Sequence, residues 1–307
     1  MTGEFNYSSI SFSLLALLAG LSLLVAGGEA LVAGAVRLAC RLGMSALMIG
    51  LTVVAFGTSM PELFVSLSAA LQDKQDLMLG NVIGSNIANV GLILGICALV
   101  APIGAPYLSF ARELYYVLAA SFAVAGAAWY GFFPRSLGLL FITALILFTY
   151  FSYKNGSIQR SAEELKDDTP ASYWRILPLC GGGLIGLSFG SNLLIGGAAD
   201  VARYLGVSNL IIGLTIAAVG TSLPELASSI SAIRKGEPDL LMVMGGTAVI
   251  KPFFLQQQQL LQRDLPVMTL FSAVLLPFLY LGNQVSRLYG FLLLVAYGLY
   301  IFSLKAS

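Results

Sequence analysis

Gly57-Thr58-Ser59-Met60-Pro61-Glu62-Leu63 recurs 163 residues later as Gly220-Thr221-Ser222-Leu223-Pro224-Glu225-Leu226, with six of the seven positions identical. Both copies lie inside long charge-poor stretches. The same offset carries Gly27, Leu31, Gly34, Gly50 and Ala55 onto Gly190, Leu194, Gly197, Gly213 and Ala218. The chain therefore reads as two copies of one unit, and this repeat decides the fold class.

Composition sets the solvent of that fold. Of 307 residues 58% are hydrophobic and only 10% charged, with a mean hydropathy of +0.88, whereas a soluble domain carries about 25% charged residues. This is an all-α polytopic membrane protein. At about 20 apolar residues per span the length accommodates roughly ten transmembrane helices. Histidine is absent, which excludes His-ligated zinc, Ser-His-Asp triads and His-ligated haem. A bound cation must then be held by oxygen. Cys40, Cys97 and Cys180 are far apart and read as structural. Sixteen basic residues against fifteen acidic ones leave a net charge of +1 without a basic run, so no nucleic acid is implied. Glu4 is the sole charge before Glu29, so the first apolar stretch reads as a span and not as a signal peptide.

Charge-poor stretches cover 5–28, 42–72, 77–111, 114–134 and 136–153, which makes five spans. A polar segment follows, with Pro170 and a Gly-Ser pair. Spans then read from about 176 to 199, 207 to 233, a short one after Asp239, 265 to 286 and 288 to 304. The organisation is a first repeat over 1–153, a cytoplasmic linker over 154–173 and a second repeat over 174–307. An odd number of spans per unit turns the second copy upside down, which gives an inverted repeat of two five-helix units. Loops after odd-numbered spans carry ten Lys and Arg and the others six, which places the N-terminus outside.

Each repeated motif lies mid-span. Its proline removes a backbone donor and frees the carbonyl four residues earlier, at Gly57 and Gly220. Such a break is tolerated at membrane depth only where it faces protein or a water-lined cavity. The glutamate that follows is costly near the bilayer centre unless it is paired or ligated. Two inverted copies bring Glu62 and Glu225 face to face, and with neighbouring hydroxyls and freed carbonyls they form an oxygen cage suited to Ca²⁺ or Na⁺. The third span adds Gly80-Asn81-Val82-Ile83-Gly84-Ser85-Asn86-Ile87-Ala88-Asn89, in which Ser85 and Asn89 share a helix face.

The paired G-T-S-x-P-E motifs, the G-N-x-x-G-S-N segment and the inverted repeat resemble the sodium/calcium exchanger family of the calcium/cation antiporters over nearly the whole chain. The resemblance implies an inner-membrane secondary antiporter, not an enzyme, that exchanges Ca²⁺ for Na⁺ by alternating access without a cofactor. Carried over by position, Glu62 and Glu225 bind the metal ion. The other implied cation ligands are Ala55 (carbonyl), Thr58, Ser59, Ser85, Asn89, Ala218 (carbonyl), Thr221 and Ser222. Exchange of Ca²⁺ for H⁺ is an alternative, since a buried glutamate can take a proton in place of Na⁺. A non-transporting, degenerate homologue is another.

The last alternative comes from a departure. Ala98 to Pro102 matches Ala248 to Pro252 at an offset of 150, not 163, so thirteen residues equivalent to about 82–94 are missing from the second unit. The remnant Leu240–Ile250 has eleven residues, about 16 Å of helix against a hydrocarbon core of about 30 Å. The eighth span is truncated, and the partners of Ser85 and Asn89 are absent. Should it fail to cross, the last two spans flip, and the basic residues then divide twelve inside and four outside. Both arrangements stay open at this point.

Overall fold

The computed structural model describes residues 10–42, 53, 55–104, 107–154, 172–222, 236–255, 257–277 and 284–304. In chain order its helices are α1 (Ile10–Arg41), α2 (Ala55–Thr58), α3 (Met60–Leu71), α4 (Gln75–Val100), α5 (Tyr107–Trp129), α6 (Arg135–Lys154), α7 (Tyr173–Leu205), α8 (Asn209–Thr221), α9 (Gly236–Ile250), α10 (Leu265–Ala273) and α11 (Arg287–Leu304). Helix is the natural state of such apolar runs, because it pairs every interior backbone group within the segment. Among the described residues α1, α4, α7 and α11 are long and apolar enough to cross a membrane, and shorter apolar helices lie between them. The run read as one stretch over 77–111 is divided. Helix α4 ends at Val100, just before Pro102, and α5 starts at Tyr107. Two pairs of two-residue strands also form, which the all-α reading does not contain.

Helices α1 and α7 pack antiparallel over most of their length. Small residues make this possible, since glycine lets backbones approach closely without a side chain between them. A Cβ added at Gly20 would lie 2.6 Å from the Leu194 nitrogen, and one at Gly183 would lie 2.7 Å from the Leu31 nitrogen. Gly27 meets Leu187 and Gly183, while Gly190 meets Leu24 and Gly20. Each contact returns when 163 is added to one partner and subtracted from the other. At one end of this pair the Arg41 guanidinium lies 4.1 Å from the centre of the Tyr173 ring, a cation–π contact.

The short strands and polar contacts fix which helix ends lie together. At one end of the bundle, Lys251 Nζ meets Asp73 Oδ1 at 2.6 Å, Gln257 Nε2 donates to Asp76 Oδ1 at 2.9 Å, and the Phe254 N–H donates to Gln75 Oε1 at 3.2 Å. There β2 (Phe132–Phe133), between α5 and α6, pairs antiparallel with β3 (Phe253–Phe254), which follows α9. Phe133 stacks on Phe253 with ring centres 5.1 Å apart. At the opposite end β1 (Ile103–Gly104), after α4, pairs with β4 (Gln284–Val285), before α11.

These contacts correct the reading of the truncated segment. Helix α9 begins at Gly236 and has fifteen residues, about 22 Å of helix, not the eleven counted from Leu240. Pro238 falls in its first turn, where proline costs no hydrogen bond. Its far end joins the end where α4 and α6 begin. Helix α8 also starts there, with the Leu210 carbonyl 2.5 Å from where a Cβ on Gly80 would sit. Helix α8 therefore leaves that end of the bundle and α9 returns to it.

Candidate functional site

Helices α2 and α3 are interrupted at Ser59, whose backbone angles are φ −84°, ψ 3°. Helix α8 stops before Ser222, at φ −87°, ψ 9°. The two serines, related by the 163-residue offset, thus share the sparsely populated bridge conformation between helix and strand. Pro61 falls in the first turn of α3, where its missing N–H would have had no helical partner. Val53 and Ile216, also 163 apart, are both wound as π-helix, Ile216 within the turn Gly213–Ala217. A third π turn, Asn89–Leu94, interrupts α4. Single π turns inside α-helices are frequent at functional sites.

Glu62 is fully buried on the first turn of α3. Ser222 Oγ donates to its Oε1 at 3.2 Å, which joins the glutamate of the first motif to the serine of the second. Asn81 of α4 ties the same two motifs together. Its Nδ2 donates to Ser66 Oγ at 2.9 Å and to the Glu62 carbonyl at 3.3 Å, and its Oδ1 accepts from Thr221 Oγ1 at 3.2 Å. Thr221 Oγ1 also lies 3.2 Å from the Ala218 carbonyl. Ser59, Glu62, Ser66, Asn81, Thr221 and Ser222 are all at most 1% exposed.

Of the sequence-predicted ligands, the structure brings Glu62, Ser222, Thr221 and Ala218 into this one network, with Ser59 at the helix break beside it. Ser85 is buried on α4 and donates to the Val82 carbonyl at 3.0 Å. Asn89 is buried at the first residue of the π turn. Ala55 and Thr58 form the ends of α2, and their side chains lie outside the described residues, as does Glu225. Among the described residues no three Cys, Asp or Glu side chains converge. Beside Glu62 the described residues offer hydroxyl, amide and backbone oxygens, which are hard ligands suited to Na⁺ and Ca²⁺.

The sequence reading passed over Asn81 and Ser66. A signal for Asn81 was present, because Asn81, Ser85 and Asn89 recur every four residues and so line one helix face. None was present for Ser66, whose partner lies on another helix.

Comparison with known proteins agrees in extent. The sodium/calcium exchanger protein family matches residues 12–154 and 176–305. The inner membrane protein YrbG of Escherichia coli is 36% identical over 247 residues, covering 72% of this chain and 74% of its own. The sodium/calcium exchanger MaX1 of Methanosarcina acetivorans is 30% identical over 301 residues, covering 80% of this chain and 85% of its own. Among solved structures, the sodium-calcium exchanger NCX_Mj, from crystals soaked with Na⁺ and Sr²⁺, superposes with a TM-score of 0.62 at 29% identity. That match covers 96% of this chain and 99% of the other.

Proposed function

The chain belongs to the sodium/calcium exchanger family, and we propose that it is an antiporter exchanging Ca²⁺ for Na⁺ by alternating access, built from two inverted five-helix units. The observation that carries this reading is the Ser222–Glu62 hydrogen bond, through which one motif of each unit contributes to a single buried polar centre. The reciprocal glycine contacts of α1 and α7 and the matched bridge conformations of Ser59 and Ser222 support the inverted arrangement.

In this reading Glu62 and Glu225 bind the ion directly. Ser59, Ser222, Thr58 and Thr221 complete its coordination together with the carbonyls of Ala55 and Ala218, and Ser85 and Asn89 serve a flanking position. Two ions that compete for overlapping oxygens couple their fluxes when the carrier changes conformation loaded with either and not when empty. The N-terminus lies outside a prokaryotic inner membrane and the linker over 154–173 lies inside.

Radiolabelled Ca²⁺ uptake into proteoliposomes loaded with Na⁺ tests this. An outward Na⁺ gradient should drive uptake, and Glu62→Gln and Glu225→Gln should each abolish it. Uptake driven by a proton gradient and indifferent to Na⁺ would replace Na⁺ coupling by H⁺ coupling. The thirteen-residue deficit favours a second reading, a homologue that does not transport. Absence of uptake under either gradient, with intact folding, would establish that reading.

A further inference from the structure

Thr247 of α9 is fully buried, and its Oγ1 has no hydrogen-bond partner among the described residues. Other helical threonines behave differently. Thr143, Thr149, Thr215 and Thr269 each donate to the carbonyl four residues earlier, the bond that a threonine hydroxyl makes by default when nothing else is offered. A buried hydroxyl left without a bond costs stability. The rotamer of Thr247 forgoes that bond.

Its neighbours locate the hydroxyl. Gly245 and Ala248 pack against Gly138 of α6, and Gly246 faces Leu63 of α3, 3.1 Å from where a Cβ would sit. At 100° per residue Thr247 then lies on the face opposite α6, with Val243 and Leu240 one and two turns below it, both buried. Besides α6, helix α9 packs against α3, α5 and α4. Leu63 follows Glu62 directly. The antiparallel α3–α4 pair, registered by Asn81 on Ser66, sets Ser85 at the level of Glu62. Thr247 comes in at that same level, from the segment that has lost the counterparts of Ser85 and Asn89.

We propose that Thr247 is a cation-coordinating residue, its hydroxyl standing in for the ligands that the shortened second unit lacks. The proposal rests on the cation-binding reading of Glu62. A neutral hydroxyl suits a monovalent ion better than the carboxylate-seeking Ca²⁺, so the ion it serves is Na⁺.

The test uses the full-length protein in detergent, with Na⁺ and Ca²⁺ titrated separately and binding read from the shift of the thermal midpoint. Thr247→Val should weaken Na⁺ binding about tenfold and Ca²⁺ binding less, without lowering the midpoint of the ion-free protein. Thr247→Ser should stay near the parent. Thr143→Val, which alters an exposed helix-bonded hydroxyl, serves as the control. Thr247→Asp gives an independent reading: beside an ion its carboxylate is rescued by Ca²⁺, so Ca²⁺ raises its midpoint more than it raises the parent's. Unchanged Na⁺ binding in Thr247→Val, or a Thr247→Asp protein that Ca²⁺ does not rescue, overturns the assignment. Unchanged binding of both ions in Glu62→Gln overturns the functional reading instead.

Discussion

Helices α4 and α9 are the corresponding segments of the two units, and they differ in what holds them. The 26 residues of α4 carry three amide or hydroxyl side chains on one face, and one of them, Asn81, binds both motifs at once. Among the described side chains of α9, 240–250, Thr247 alone carries a hydroxyl and none carries an amide. The position of α9 comes from glycine packing on α6, from the β2–β3 pairing and from the Lys251–Asp73 contact at its end. A shorter segment can therefore keep its place in the fold, because the interactions that position it are not the polar contacts of α4.

The sharpest way to break that comparison is to remove its centre. Glu62→Gln should cut Na⁺-driven Ca²⁺ uptake about 100-fold or more, since a lost charged ligand is worth several kcal/mol. A residual uptake close to the parent's would mean that the two motifs do not share one ion site.

Next comes a pair of substitutions that should act oppositely. Asn81→Ala removes the buried bonds to Ser66, the Glu62 carbonyl and Thr221 and should cost about 3 kcal/mol of stability. Thr247→Val removes a hydroxyl that has no partner among the described residues and should leave the ion-free protein at parental stability. Equilibrium unfolding in mixed micelles compares the two directly. Equal losses would erase the distinction between α4 and α9.

Gly138→Leu attacks the anchoring of α9. A Cβ there would already lie 2.9 Å from the Ala248 Cβ and 3.0 Å from the Gly245 carbonyl, so the added bulk should cost about 1–3 kcal/mol and expose α9 to limited proteolysis. The smallest effect belongs to Lys251→Ala. Asp73 is 79% exposed in that pair, and exposed ion pairs are worth about 1 kcal/mol or less. The change should shift the thermal midpoint by no more than a few degrees, and less in high salt.

Much of the site was legible in order along the chain. The repeat named Glu62, Ser222 and Thr221, and the structure places them in one network. The span count was less legible at its edges. Helix α1 runs on to Arg41, past the glutamate at position 29 that seemed to close the first span, because one charge does not end a helix whose next turns are apolar. Helix α9 gained a turn in the same way, through Glu237 and Pro238. The role of Asn81 was hidden for another reason, since its partners Ser66 and Thr221 are 15 and 140 residues away and no periodicity connects them.

By itself the sequence determined the solvent, the repeat and the oxygen-only chemistry. Hydropathy, self-similarity and the lack of histidine are properties of residue types and their spacing, and they survive without coordinates. Tertiary structure alone decided that α9 returns the chain to the end where α8 begins, that Ser222 reaches Glu62, and that the Thr247 hydroxyl is buried without a partner among the described residues. Those outcomes depend on which helix faces which and at what height, and they are set by packing between segments more than a hundred residues apart.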